Sequence, residues 1–385
     1  MSRSIGATKN RVEFAEALGR LGWDAEVFGA EEIGAGATHD RNGYEAYQRK
    51  LREFLCQHHD RFDIALVEAD TLPFPRETLP PDMLIVARPA MVWVHHHLIE
   101  IPTPDFSVPR RMAQRVKGFV RRNAAWTPLQ RRGPQRQTCQ SVDLVHALTQ
   151  WDADALQADG VRRTTFEVIP NGIHADRAHE LRAARHAHDA NDAKSIVFVG
   201  SFDYRKGCLD IAEIMSHLWA EDEQYRLTLL GAKGLFQSEQ QIRAHFPAQW
   251  QHQLEVVMRF DNAQLPDLMA RQSIGLFPSY VEGFPFGCLE MIASGLPTVA
   301  YRSPGAECFV PDQIQVTPGD VETAVALIRR LASDPDFYSH TTDACLEVAA
   351  RYDWDRVAAD ASNIYERELR RRRGQPQPTL QSVSV

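Results

Sequence analysis

Glu282 and Glu290 stand with seven residues between them in the stretch Ser273–Val299, SIGLFPSYVEGFPFGCLEMIASGLPTV. Neither has a cation beside it in sequence. Between them lie Gly283, Phe284, Pro285, Phe286 and Gly287. The apolar run Ser273–Phe277, closed by Pro278, fits a buried strand. A helix from about Gly287 to Ser294 comes next, with Gly295 just past its end and Pro297 beyond. A strand that feeds a glycine-bearing loop and then a helix presents backbone amides and the positive end of the helix dipole to an anion. One carboxylate ahead of such a phosphate position, and one a turn or so inside the helix, suit a ligand with hydroxyls on both sides of a phosphate. A nucleotide sugar has that chemistry. Two glutamates at this spacing also fit a solvated loop and an amphipathic helix, so the pair alone leaves both readings open.

A second strand-to-helix turn lies upstream in SIVFVGSFDYRKG. Ile196–Val199 reads as a buried strand, Gly200 turns the chain, and a helix starts near Gly207. Arg205 and Lys206 sit where cations could meet a pyrophosphate, and such charge-assisted contacts are worth about 1.5–3 kcal/mol each. Two more strands, Arg226–Leu230 and Leu254–Met258, end at Gly231 and Arg259. Those ends line a nucleotide base pocket if the sheet is doubly wound.

The segment EGFPFGCLE, inside PSYVEGFPFGCLEMIASGLP, resembles the E-x7-E element of retaining GT-B glycosyltransferases, most of all glycosyltransferase family 4 (group 1). The resemblance is specific from Ile196 to Pro297 and looser before residue 140. It implies that Glu282 faces the donor sugar and Glu290 the nucleotide ribose. Arg205, Lys206 and the amides around Phe284–Gly287 would serve the leaving diphosphate, with Gly283, Gly200 and Gly231 lining the nucleotide. In that family a basic residue often comes after the first glycine of the upstream loop; here Ser201 stands there, Lys206 matches, and Arg205 substitutes. A histidine after a strand of the first half would approach the sugar. Met91–Val94 runs into His95, His96 and His97; His95 is assigned that role and His96 the second place. Adjacent residues on a strand point to opposite faces, so these histidines are not expected to hold a metal. No metal or other cofactor is expected, the nucleotide-sugar being a co-substrate. The implied activity is transfer of a hexosyl group to a hydroxyl of a glycan or lipid-linked acceptor.

The elements that must position these residues alternate strand and helix in the second half, which argues for a parallel sheet covered on both faces. The expected fold is α/β of GT-B architecture, two Rossmann-like domains facing across a cleft. In the first half, Phe14, Leu18 and Leu21 mark a helix from Arg11, and Ala25–Phe28 reads as a strand. Only MSRSIGATKN precedes that helix, so the first strand of this domain is expected to be absent or truncated. Glu45–His58 reads as a helix, and Phe62–Val67, Met83–Ala87, Asp143–Leu148 and Phe166–Ile169 as strands. The expected domains are 1–180 for the acceptor and 181–350 for the nucleotide-sugar. Residues 351–373 form a closing helix that crosses back, and 374–385 a disordered tail.

A chain of 385 residues suffices for two domains. No run has the length of a membrane span, and the start lacks a signal-peptide pattern. Six cysteines without a CxxC pair suit free thiols in a reducing cytosol. The net charge of −8 argues against nucleic acid as a partner. Residues 110–136, however, carry nine Arg or Lys and no acid. Met112, Val116, Phe119 and Val120 there form one apolar stripe, a pattern that suits an anionic membrane surface or lipid carrier. The expected location is the cytoplasm, at the inner face of the cytoplasmic membrane. Two alternatives stay open: a non-catalytic nucleotide-sugar-binding protein, and a nucleotide-sugar epimerase or phosphorylase on the same fold.

Overall fold

The computed structural model describes residues 6–36, 40–104, 127–187, 193–307 and 309–374. The chain divides into two units: Met1–Val94 with Phe106–Pro170 and Asp355–Val385, and His95–Asp105 with Asn171–Trp354.

The first unit is built on four parallel strands, β1 (Ile64–Val67), β2 (Leu84–Ala87), β3 (Leu144–Ala147) and β4 (Thr165–Val168), paired in chain order. β2 and β3 are buried throughout, as inner strands covered on both faces must be. The helices are α1 (Gly6–Arg20) and α2 (Arg41–Gln57) ahead of β1, α4 (Pro128–Ser141) before β3, and α5 (Gln150–Ala158) before β4; α3 (His95–Leu98) groups with the second unit. Asp40 accepts from the Gly43 amide at 2.7 Å and starts α2, and Thr149 accepts from the Asp152 amide at 3.1 Å and starts α5. Leu51 and Leu55 of α2, Leu156 of α5, Ile85 and Val145 share one apolar core.

The second unit is a six-stranded parallel sheet. Its strands are β5 (Ser195–Val199), β6 (Arg226–Leu230), β7 (Leu254–Val257), β8 (Ile274–Phe277), β9 (Thr298–Tyr301) and β10 (Gln315–Val316), in the spatial order β10-β9-β8-β5-β6-β7. Its helices are α6 (Ala175–Ala187), α7 (Cys208–Glu221), α8 (Glu239–Arg243), α9 (Leu265–Ala270), α10 (Phe286–Ala293), α11 (Val321–Ser333) and α12 (Pro335–Ala350). The runs SIVFV and IGLF are buried at every position. β5 lies between β8 and β6, so the strand order reverses there. Right-handed crossovers then place helices on opposite faces and open a crevice at the carboxyl ends of β5 and β8.

The last helix, α13 (Trp354–Arg372), belongs from Asp355 onward to the first unit. Val357, Ala361, Tyr365 and Leu369, four residues apart, form its buried stripe. The Tyr365 hydroxyl lies 2.5 Å from His146 Nδ1 on β3, and the Trp23 indole donates to Ser362 at 2.8 Å. Arg372 reaches Asp143 at 2.6 Å, and Arg367 and Arg373 pair with Glu167 and Asp63. The terminal arginines are thus bound up in pairs across the first unit.

Four sequence expectations change. Ala25–Phe28 runs as coil and forms no ladder, because no neighbouring strand pairs with it among the described residues. The first helix, expected from Arg11, begins at Gly6. Met91–Val94 forms a turn and the histidines begin a short helix; on a helix successive side chains are about 100° apart. The division falls at Pro170–Asn171 and not at 180, because α6 packs on α9 and α10 of the second unit. Residues 110–126 of the basic stretch and the tail from 375 lie outside the described residues.

Candidate active site

The loops that leave β5 and β8 meet at the reversal of strand order. After β5, Gly200 turns the chain, and Asp203 shapes the next three residues. Its Oδ1 accepts from the Lys206 amide at 3.0 Å, and its Oδ2 accepts from the Ser201 hydroxyl at 2.7 Å. This cap winds Tyr204–Lys206 into one tight turn ahead of α7. Gly207 ends the turn with φ +73, and a Cβ there would lie 2.1 Å from the Pro278 carbonyl oxygen. Only glycine lets the two loops touch. Gly287 has the same role at the start of α10. A Cβ there would lie 2.4 Å from the carbonyl of Val199, so α10 starts directly over the end of β5.

The loop after β8 is tied down on both sides. The Tyr280 amide donates to the Arg205 carbonyl at 2.9 Å, and the Glu282 amide donates to the Pro304 carbonyl at 2.9 Å. The hydroxyls of Tyr280 and Tyr301 both donate to Asp210 Oδ2 on α7, each at 2.6 Å. Burial, then the hydrogen bond to Asp210, pushes both tyrosines well above their ordinary range, so they remain hydroxyl donors.

This scaffold brings Glu282, Arg205 and Lys206 together. Lys206 Nζ lies 2.7 Å from Glu282 Oε1, and Arg205 Nη1 lies 3.1 Å from Oε2. Arg205 Nη1 also donates to the Val281 carbonyl at 2.6 Å. Lys206 Nζ rests 5.2 Å from the centre of the Phe277 ring. Glu282 is only 4% exposed. Burial by itself raises its carboxyl, but Lys206 and Arg205 outweigh burial and hold it below the usual carboxylate range. Arg205 is raised above its ordinary value: burial works against it, and the charges of Glu282 and Asp203 overcome that. Arg205 and Lys206 thus stand as two cations at the sheet's carboxyl edge, balanced by Glu282 and Asp203, and a diphosphate could compete for them.

The other predicted residues divide. Gly283 and Pro285 are buried in the same loop. The Phe284 ring sits 4.8 Å from Phe286 and 4.8 Å from Phe309, in an aromatic cluster that anchors the loop. No side chain caps α10 at Pro285, so its first turn is left to backbone and ligand. Gly231 ends β6 with φ +74, facing the Phe260 ring, from which a Cβ would be 3.1 Å away. Glu290 is paired with neither Arg205 nor Lys206; Arg177 Nε of α6 lies 3.6 Å from its Oε1. His95 is fully buried. His96 is half-buried, and burial first, then Arg205, hold it below its ordinary value. The charge of Arg205 therefore reaches His96. No cluster that could hold a metal occurs among the described residues.

Sequence reasoning passed over Asp203, Arg177 and the Asp210 clamp. Asp203, three residues before the Lys206 amide it caps, carried a legible helix-start signal. Arg177 and Asp210 carried none, since their partners lie far along the chain.

Residues 182–345 match the family model described as Glycosyl transferases group 1. That matched segment holds Arg205, Lys206, Glu282 and Glu290. Among curated proteins, a D-inositol 3-phosphate glycosyltransferase 2 of Catenulispora acidiphila is 33% identical over 29% of this chain and 28% of its own length. A GDP-mannose:cellobiosyl-diphosphopolyprenol alpha-mannosyltransferase of Xanthomonas oryzae is 23% identical over 58% of each. The chain therefore spans less than two thirds of these relatives. Among solved structures, sucrose-phosphate synthase from Thermosynechococcus elongatus superposes with a TM-score of 0.69 at 16% identity, over 94% of this chain and 93% of that one. Anabaena HepE in complex with UDP gives 0.62 at 16% identity, over 83% and 82%. These likenesses, with the two parallel α/β units, give the chain the GT-B fold class.

Proposed function

We propose that the chain is a retaining glycosyltransferase that moves a hexosyl group from a nucleotide-sugar to an acceptor hydroxyl. The observation that carries this reading is the Glu282–Arg205–Lys206 cluster at the reversal of the second sheet. Departure of a nucleoside diphosphate concentrates negative charge on the bridging oxygen while positive charge grows on the sugar. Arg205 and Lys206, joined by the first amides of α10, meet the diphosphate. Without ligand, those cations are occupied by Glu282. A bound diphosphate takes over their charge, and Glu282 is released to accept hydrogen bonds from the sugar hydroxyls. Donor binding thereby arms the sugar contact. Glu290 holds the ribose, and His96, with His95 buried behind it in the chain, borders the sugar. Fixed donors aimed at developing charge are typically worth about 100- to 1,000-fold in rate each. Because side chains neutralise the diphosphate in this reading, turnover in EDTA equals turnover with magnesium.

The finer reading of the acceptor is a lipid-linked saccharide, used at the inner face of the cytoplasmic membrane. It is supported by the nine basic residues without an acid in 110–136 and by the diphosphopolyprenol acceptor in the Xanthomonas relative's name. No helix among the described residues is long and apolar enough to cross a membrane. The test is to incubate the protein with UDP-, GDP- and ADP-sugars and short glycan or polyprenol-linked acceptors, then assign the new anomeric centre by NMR. A product with the donor's configuration supports the proposal. An inverted product, release of free sugar phosphate, or epimerised donor without transfer contradicts it.

A further inference from the structure

Arg177 stands at a junction that the reaction as described does not use. It lies in the first turn of α6, and its side chain is 12% exposed, as is that of Glu290. Its Nε faces Glu290 Oε1 at 3.6 Å. Its Nη2 donates to Asn262 twice, to the carbonyl at 2.7 Å and to Oδ1 at 3.0 Å. Its Nη1 lies 3.4 Å from Glu180 on its own helix. Asn262 begins the turn between β7 and α9. One guanidinium on α6 therefore bonds the segment after β7 and faces the α10 carboxylate as an ion pair, without a hydrogen bond, at 3.6 Å, and lysine cannot reproduce such a fork.

We propose that Arg177 is a positioning residue for ribose recognition: it holds the Glu290 carboxylate aimed so that it accepts the ribose hydroxyls of the donor. This rests on the reading of Glu290 as the ribose contact. A half-buried carboxylate with freedom to rotate would lose orientation. A cation beside the carboxylate removes that loss. The same side chain sets the Asn262 turn, so the ribose contact and the carboxyl edge of β7 are held in one register.

The experiment measures affinities by calorimetry for UDP, GDP and ADP and for their 2′-deoxy and 3′-deoxy forms. The proteins are wild type, Arg177→Gln, Arg177→Lys, Glu290→Gln and the Arg177→Gln/Glu290→Gln double variant. A hydroxyl bonded to a charged group carries about a tenfold or larger preference. Wild type should therefore bind the ribose form at least about tenfold tighter than a deoxy form. Arg177→Gln should erase that preference while changing deoxy binding less than about twofold, and should add nothing in the Glu290→Gln background. Arg177→Lys, which keeps charge and volume, should lie between and carries the readout if the glutamine variant does not fold. Equal weakening of ribose and deoxy forms, or a full Arg177→Gln effect in the Glu290→Gln background, overturns the proposal while Glu290 keeps its role. If Glu290→Gln alone retains the wild-type preference, Glu290 does not hold ribose, and the proposal falls with that reading.

Discussion

Glu282 is held where an isolated carboxylate would be costly. A charge so deeply buried survives only when paired, and Lys206 at 2.7 Å and Arg205 at 3.1 Å supply the pairing. Because its folded value is depressed, the unfolded chain takes up this proton first as pH falls. The stability contributed by the cluster is thus complete above the unfolded value of about 4.5. It is lost as pH falls through the lower folded value. Glu282→Gln removes that titration. Urea unfolding of wild type and variant between pH 3 and 7 should show curves that diverge at neutral pH and converge in acid. Parallel curves would mean that folding does not depress the Glu282 carboxyl. The carboxylate pair was legible in the sequence because E-x7-E spacing is local. The partners that hold each glutamate were not, because ion pairs between loops leave no mark on spacing.

At the scale of elements, the site depends on how closely two loops approach. Gly207 combines φ +73 with a Cβ position 2.1 Å from the Pro278 carbonyl. Gly207→Ala therefore meets backbone strain of about 1–3 kcal/mol and forces the β5 and β8 loops apart. Chemical denaturation should show a loss in that range or above it, with weaker nucleoside diphosphate binding. Gly19→Ala is the contrast. Gly19 lies in α1 with nothing near its Cβ and no positive φ, so alanine there should stabilise by about 0.5–1 kcal/mol. The second sheet was legible because buried parallel strands are continuous apolar runs, and SIVFV, IGLF and TVAY are that. Ala25–Phe28, AEVF, reads as a strand despite Glu26 and is none, because a strand is defined by a partner that composition cannot supply. α6 was assigned across the division for a related reason: a polar helix does not declare which sheet it will cover.

At the scale of the whole chain, the last helix returns to the first unit and couples the two ends of the sequence. Its central bond joins Tyr365 to His146, whose Nε2 also lies 2.8 Å from the Ile169 carbonyl. His146 is fully buried, and burial, reinforced by the Arg88 charge, holds it well below its ordinary value. The neutral ring is the folded form, so its contribution is present above about 6.5. It is lost as pH falls below that value, since the unfolded chain binds the proton. His146→Asn should flatten the pH dependence of unfolding below about 6.5, and an unchanged slope would count against the buried neutral ring. Tyr365→Phe leaves a buried ring nitrogen unsatisfied and should cost about 1–3 kcal/mol.

The central claim is that Lys206 and Arg205 form a diphosphate site guarded by Glu282. Calorimetric titration of UDP, GDP and ADP into wild type, Lys206→Ala and Glu282→Gln tests it most directly. One diphosphate should bind wild type, and Lys206→Ala should weaken it by about ten- to a hundredfold. Glu282→Gln, which frees both cations from competition, should bind the same diphosphate as tightly as wild type or tighter. Equal affinity in wild type and Lys206→Ala, or loss of diphosphate binding in Glu282→Gln with the fold intact, would contradict it.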